Sequence, residues 1–286
     1  MKYTELIEKR KSIREYKNKA LSEAQIAQIQ AAFDGVKRLI PEIAINLEVR
    51  TDGVQDRIEG VAGYQGYCFK APAYLAILSE QADGYLENAG YAAEDLILKL
   101  TEMGLDNCWL TVHDSDASKR ALFIESDKEI AALIAVGYGK TERALKRLDI
   151  KNPGNVTVRS RDGHVAPKIA QEDLVYAETW GNPVNWDQVD PLLDTAFYSA
   201  SIAPSFCNLQ PYRFVVRGHE ILLYVKKEEV TSVEDTRLDL GAVMLNFTMA
   251  YAELNSQGRT FTLGEPAKLE PVGNPEEYIL AAYFEY

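Results

Sequence analysis

Apolar side chains along the chain fall into two long helical stripes. Ala89, Ala92, Ala93, Leu96, Leu100 and Met103 recur at i, i+3, i+4 and i+7, and so do Leu240, Val243, Met244, Phe247, Tyr251 and Leu254. That spacing predicts two amphipathic helices. Every member of the second stripe lies 151 positions after its counterpart, and Gly90 and Gly241 match at the same interval. Gly104 and Asn255 follow the two stripes, and both residue types tolerate the left-handed backbone that ends a helix.

A second pair of helices repeats at an interval of 163. Leu21-Ser-Glu-Ala-Gln-Ile26 reads as a capping box with a hydrophobic staple, Ser22 capping and Gln25 reaching back. Val184-Asn-Trp-Asp-Gln-Val189 has the same layout with Asn185 as the cap, and Ile29 and Leu192 continue the two stripes. The two intervals differ by 12, so the first half carries about a dozen extra residues between Phe33 and Ala89. Strand-like runs pair as well: Tyr74–Leu78 with Ile221–Val225, and Ile130–Val136 with Tyr278–Phe284. The pattern predicts an α+β chain built by duplication. Its first half is 1–142, a connector rich in Lys, Arg, Asp, Gly and Pro is 143–181, and its second half is 182–286.

Composition narrows the function. The 286 residues hold 31 Lys+Arg against 43 Asp+Glu, a net charge of −12. A nucleic acid or an anionic membrane needs a basic footprint, so neither is expected as a partner. The uncharged run from Thr195 to Tyr212 contains Pro204, Asn208, Gln210 and Pro211, which argues against a membrane helix. Three dispersed cysteines (Cys68, Cys108, Cys207) and three scattered histidines offer no disulfide framework and no metal-ligand spacing. Reduced thiols and a start without an apolar leader core suggest a cytoplasmic protein.

The halves differ where chemistry would sit. Arg10-Lys-Ser-Ile-Arg14 precedes the first capping box, whereas Asp173, Val175 and Ala177 stand 163 positions after Arg10, Ser12 and Arg14. In an extended segment the two guanidiniums and the hydroxyl share one side, which suits a phosphate. A basic helix end complementing its own dipole accounts for the same residues. Ala203-Pro-Ser-Phe-Cys-Asn-Leu-Gln-Pro-Tyr212 is polar without charge, fit either to face a flat, polar-edged ligand or to make a structural turn. Its counterpart, Pro41–Leu47, lacks Ser205 and Gln210. Each half keeps an element the other lacks, so a pair of composite sites reduces to one good site and one degraded site.

Six segments together resemble the FMN-dependent nitroreductase family, and within it the group in which one chain imitates the usual homodimer. They are Arg10–Arg14, Ala89–Leu96, Gly104–Trp109, Val136–Gly139, Ala203–Pro211 and Asp239–Gly241. The resemblance implies an α+β sandwich of mainly antiparallel sheet flanked by helices, with FMN between the half-units. It implies Arg10, Ser12 and Arg14 at the phosphate, polar edge or ribityl chain, Pro204, Ser205 and Asn208 approaching from the other half, and backbone near Leu110 and Thr111 by the flavin edge. A late basic residue usually completes the phosphate site; Arg143, Lys146, Arg147 and Lys168 are the candidates, with Arg147 placed in the expected set. NADH or NADPH would reduce the flavin, which would then reduce an electron-poor small molecule such as a nitro compound or quinone. No side-chain nucleophile and no metal are then required. The alternative is a flavin-binding or storage protein without catalysis. The chain would act as a monomer or weak homodimer. Tyr212 and the bulky pair Phe206-Cys207 depart from the family's habits, and the extra residues near Gly53 to Tyr67 have no family role but could cover the site.

Overall fold

The computed structural model describes residues 1–51, 54–63, 65–140, 145–152, 155–161, 167–227, 231–255 and 258–286; the side chains at 55, 145–152 and 155–161 lie outside that description. The first half runs α1 (Tyr3–Lys9), α2 (Glu23–Asp34), β1 (Ile45–Arg50), α3 (Gln55–Ile58), β2 (Ala73–Ser79), α4 (Tyr85–Glu102), β3 (Asp106–Leu110), α5 (Ser115–Leu122) and β4 (Glu129–Gly137). The connector holds β5 (Leu145–Asn152), β6 (Asn155–Arg161), α6 (Gln171–Leu174) and β7 (Val175–Ala177). The second half runs α7 (Pro191–Ser201), β8 (Tyr212–Arg217), β9 (Glu220–Lys226), α8 (Val233–Leu254), β10 (Thr262–Leu263) and β11 (Tyr278–Glu285). No helix among the described residues is long and apolar enough to cross a membrane.

The duplication is explicit in the sheets. One is ordered β1-β2-β4-β3 and the other β10-β11-β9-β8-β7, so β8-β9-β11-β10 repeats the first sheet strand for strand. Those pairs are all antiparallel; only β7 joins its neighbour in parallel. Strands β1, β3, β8 and β10 were not foreseen in the sequence, because they are short and, β10 apart, charged or amide residues break their apolar ones. The extra residues of the first half sit between β1 and β2, where β8 and β9 are joined by Gly218-His219 alone.

Both faces of each sheet are covered, so the central strands read as continuous apolar runs. Along β2, Ala73, Leu75 and Ile77 pack toward α4, while Tyr74, Ala76 and Leu78 join a separate cluster on the far face. Strand β9 divides in the same way, with Ile221, Leu223 and Val225 against α8 and Leu222 and Tyr224 on the other side. The period-two geometry of a strand makes this division obligatory.

Helices α4 and α8 lie against each other at the centre, which is why both are buried well beyond a single stripe. The matched glycines mark their closest approach. A Cβ at Gly90 would overlap the backbone of Leu238, and one at Gly241 would overlap the backbone of Glu87 and Tyr91. Glu87 and Leu238 are themselves 151 apart, so the contact is reciprocal, as across a two-fold axis. Arg237 of α8 adds a two-pronged ion pair to Glu87, with both N···O distances 2.7 Å.

Helix ends agree with expectation in part. Ser22 caps α2, accepting from Gln25 N at 3.3 Å while the Gln25 side chain accepts from Ser22 N at 3.0 Å. Ser22→Ala is expected to cost about 1 kcal/mol, read as a lower urea midpoint at unchanged slope. The second box is corrected. Asn185 leads only a short 3-10 turn without a side-chain cap, and α7 starts at Pro191 with Asp190 accepting from Leu192 N at 2.9 Å. Proline is favoured at a first helical position, and Asp190 satisfies an end donor there. The buried stripe accordingly runs Leu193, Ala196, Phe197, Ala200 rather than through Leu192. Gly104 takes the left-handed conformation, φ 74°, whereas Asn255 is extended, φ −130°.

Candidate functional site

A cavity of about 380 Å³ opens between the halves. Its walls come from five stretches that the sequence scatters: Ser12 and Arg14, Tyr67 and Phe69 between β1 and β2, the end of β3 with Leu110 and Thr111, the loop after α7 with Pro204 and Ser205, and the first turns of α8 with Asp235 and Asp239. The volume lies within the usual range for small-molecule sites.

Ser12 and Arg14 reach the cavity because the chain after α1 runs extended beside β3. Ser12 pairs in parallel with Asn107, and Ile13 N donates to Asn107 O at 2.8 Å. Arg14 is exposed and lies over Phe69 at 5.8 Å from the ring centre. Arg10 turns inward instead. Its Nε stands 3.6 Å from Oε1 of the fully buried Glu94, and its Nη1 donates to Ser12 Oγ at 3.4 Å. The alternation puts the three side chains on one side of the backbone, and tertiary packing then splits the two guanidiniums between interior and surface.

The loop after α7 is held from several directions. Asp239 accepts from Phe206 N with both carboxylate oxygens at 3.0 Å. Ser205 Oγ accepts from Gln210 N at 3.0 Å, and Gln210 bridges Ile169 N and Ser201 O. Lys168 donates to Ala203 O at 2.7 Å, and Asn208 donates to Pro167 O at 2.7 Å, which turns the Asn208 amide toward the connector and off the cavity wall. Within this loop Cys207, Asn208 and Gln210 have φ of 48°, 58° and 48°. Such conformations are costly for residues with side chains and persist where surroundings dictate them.

Of the nine residues expected at a site, Ser12, Arg14, Leu110, Thr111, Pro204 and Ser205 line this cavity. Arg10 stands behind Ser12 and Asn208 behind the loop. Arg147 falls in β5, whose side chains lie outside the described residues, as does Arg143. Lys146 is in the same position. Lys168 is the described late cation beside Arg10. The sequence pointed to no site role for Asp235, Asp239 or Phe69, and to Tyr67 only as the end of a segment that could cover the site; all four line the cavity. The position of Asp239 two residues before the matched Gly241 was an available signal.

Electrostatics set the protonation states. Burial pushes the Asp239 carboxyl well above the carboxylate range, opposed by the Phe206 N–H and Lys168. Burial also raises Asp235, against hydrogen bonds from Ser232 and Thr111. Lys168 is pushed down to about 8 by burial and by Arg10. Cys108 is raised to about 11 by burial, and Cys207 is raised for the same reason, so neither wall thiol is an activated nucleophile.

The symmetry-related place in the molecule is filled. There Asn88, 151 positions before Asp239, accepts from Ile40 N at 2.9 Å, repeating the latch on Phe206. Gly84 stands where Asp235 would be, and a Cβ on it would lie 2.6 Å from both Ile40 Cδ1 and Leu263 Cδ1. The Ile40 and Leu263 side chains thus stand where the Asp235 side chain stands in the other site.

The family model described as "Putative TM nitroreductase" matches residues 2–251 of the chain. Among solved structures, a putative nitroreductase from Thermotoga maritima is 14% identical; the match covers 100% of this chain and 94% of that one, with a TM-score of 0.61. An FMN-dependent nitroreductase from Clostridium difficile is 21% identical over 48% of this chain and 88% of its own, with a TM-score of 0.42. A nitroreductase with bound FMN from Bacteroides fragilis is 18% identical over 56% of this chain and 100% of its own, with a TM-score of 0.40. No curated protein matches the chain.

Proposed function

The chain belongs to the TM nitroreductase family, and from that premise we propose an FMN-dependent oxidoreductase that takes electrons from NADH or NADPH and passes them to an electron-poor small molecule, such as a nitro compound or a quinone. The observation that carries this reading is the meeting of Ser12 and Arg14 from one half with Pro204 and Ser205 from the other on a single cavity. The residues fit the cofactor. Phe69, Leu110, Phe206, Leu238 and Ala242 offer apolar walls to a flat ring, and Arg14, Ser12 and the inner pair Arg10 and Lys168 offer donors to a phosphate, the Arg10 Nε being buried without a hydrogen-bond partner.

When bound, FMN supplies the hydride chemistry, accepting from the nicotinamide and donating to the acceptor. The protein's share is to bind, orient and shield. Arg14 and Ser12 would hold the anionic end, the latched loop would hold Pro204 and Ser205 against the ring, and Tyr67 and Phe69 would keep bulk water from the mouth. We place this work in the cytoplasm, in a protein acting as a monomer or weak homodimer with one flavin per chain, since the symmetry-related place is filled by Ile40 and Leu263.

Purified protein is expected to be yellow, to hold one FMN per chain, and to bleach on anaerobic addition of NADH or NADPH. Arg14→Ala should weaken FMN about 10- to 100-fold, the value of one or two charge-assisted hydrogen bonds. Ala177→Ser, at the degraded counterpart, should change nothing. Two flavins per chain, or equal losses in both variants, would refute the single asymmetric site. A second reading, flavin binding without turnover, is favoured by one observation: Asp235 and Asp239 stand in the wall, and any negative charge they carry opposes the extra negative charge of reduced flavin. Flavin that binds but is reduced by neither nicotinamide selects that reading.

A further inference from the structure

Behind the cavity lies a buried polar layer from which the proposed function uses Arg10, Lys168 and Asp239 and leaves the rest unexplained. At its centre Glu94, on α4, has no exposed surface. Arg10 approaches from the end of α1, Trp109 from β3, Lys168 from the connector, Tyr212 from β8 and Asn246 from α8, with Asp239 beyond Lys168. Seven of the twelve buried side-chain atoms without a hydrogen-bond partner among the described residues belong to this group: Arg10 Nε, both Glu94 oxygens, Trp109 Nε1, Tyr212 Oη and both amide atoms of Asn246. A carboxylate removed from water needs close pairing and several donors. Glu94 has one loose ion pair, 3.6 Å to Arg10, and the neutral donors of Trp109 and Asn246 beside it. The same guanidinium donates to Ser12 Oγ on the cavity wall, so it is shared between the buried carboxylate and the place where a ligand's anion would lie.

We propose that Glu94 is a proton-linked counter-charge to the cavity: it pairs with Arg10 in the ligand-free protein and takes up a proton from solvent when a phosphate-bearing ligand draws Arg10 and Lys168 to itself. The proposal rests on the flavin reading for the identity of that ligand. A phosphate that claims the two cations removes the charges that compensate Glu94. What remains is a carboxylate in a dry interior with only the neutral donors of Trp109 and Asn246 beside it and no cation, for which protonation is the lower-energy outcome. Burial already pushes Glu94 upward, and Arg10, Trp109, Lys168 and Asn246 oppose it, so weakening the two cationic opponents moves it further in the same direction. By linkage, the ligand's affinity then falls as pH rises through the titration of Glu94.

The test is calorimetric titration of the apoprotein with FMN near pH 6.5, in two phosphate-free buffers of contrasting ionisation heat. Lys168, with its value near 8, is already charged there. Wild type is expected to take up about 0.5 to 1 proton more per FMN than Glu94→Gln. Riboflavin, which lacks the phosphate, should show no difference between the two proteins. Equal proton uptake in both proteins with FMN, or the same difference with riboflavin, overturns the assignment. If Glu94→Gln does not fold, the wild-type protein decides in the same paired titration near pH 6.5: net proton uptake with FMN and none with riboflavin supports the proposal, and no uptake with FMN, or equal uptake with both, overturns it. Failure of FMN and riboflavin alike to bind overturns the cofactor reading instead, and inorganic phosphate in the same paired titration then decides the role of Glu94.

Discussion

Gly241→Ala is expected to destabilise the fold by about 3 kcal/mol, with Gly90→Ala close behind. In an exposed helix the same change would gain nearly 1 kcal/mol, because alanine is the better helix former. Here the added Cβ overlaps backbone rather than a movable side-chain end: Glu87 and Tyr91 for Gly241, Leu238 for Gly90. The two helices must separate to admit it, and every apolar layer that α4 and α8 hold together is loosened. Guanidinium unfolding is the measurement, read as a lower midpoint at unchanged slope. Gly258, where a Cβ meets nothing within 4 Å, is the control, expected within about 0.5 kcal/mol of wild type on substitution by alanine. A neutral or stabilising Gly241→Ala would show that the helices do not meet as described.

Asp239→Ala is expected to weaken FMN by about 100-fold while Asp239→Asn retains most of the affinity. The alanine leaves the Phe206 N–H without an acceptor in a part-buried position, at a cost of about 1–3 kcal/mol. It also frees a loop whose Cys207, Asn208 and Gln210 sit in left-handed backbone that only outside contacts enforce. Relaxation of those residues carries Pro204 and Ser205 off the cavity wall. Asparagine should serve because it already does so across the pseudo-two-fold, where Asn88 accepts from Ile40 N at 2.9 Å. Flavin fluorescence titration of the three proteins separates the outcomes. Equal losses in both variants would mean that the carboxylate's charge matters and its latch does not.

The duplication was legible because helical stripes and paired glycines survive as intervals in the chain. Its strand partners were half legible: β2, β4, β9 and β11 are continuous apolar runs, the first three buried on both faces, whereas β1, β3 and β8 break their apolar residues with charged or amide ones and β10 is two residues long. The cap at Asn185 misled because Trp186–Gln188 makes one short turn of its own before Pro191 and Asp190 start the helix. Among the site residues, Ser12, Arg14 and Ser205 stood out by what one half has and the other lacks, and Pro204, which Pro41 matches, through the family resemblance alone. Asp235 and Phe69 did not stand out, because nothing local distinguishes them from a helix start and an ordinary insertion, and Tyr67 did so only as the end of a stretch that could cover the site.

The chain's own pattern therefore determined two related halves, the helices at their centre, and the elements that no longer match between them. Those follow from periodicity and residue type, which act locally. Which of two equivalent places stays open was decided only by packing. Ile40 and Leu263 converge on Gly84 from distant parts of the chain, while the loop after α7 is drawn back by Asp239, Gln210 and Lys168. The fate of Arg10 was decided in the same way. In sequence it is one of two matching guanidiniums, and only the tertiary structure sets a buried carboxylate, Glu94, beside one of them and solvent beside the other.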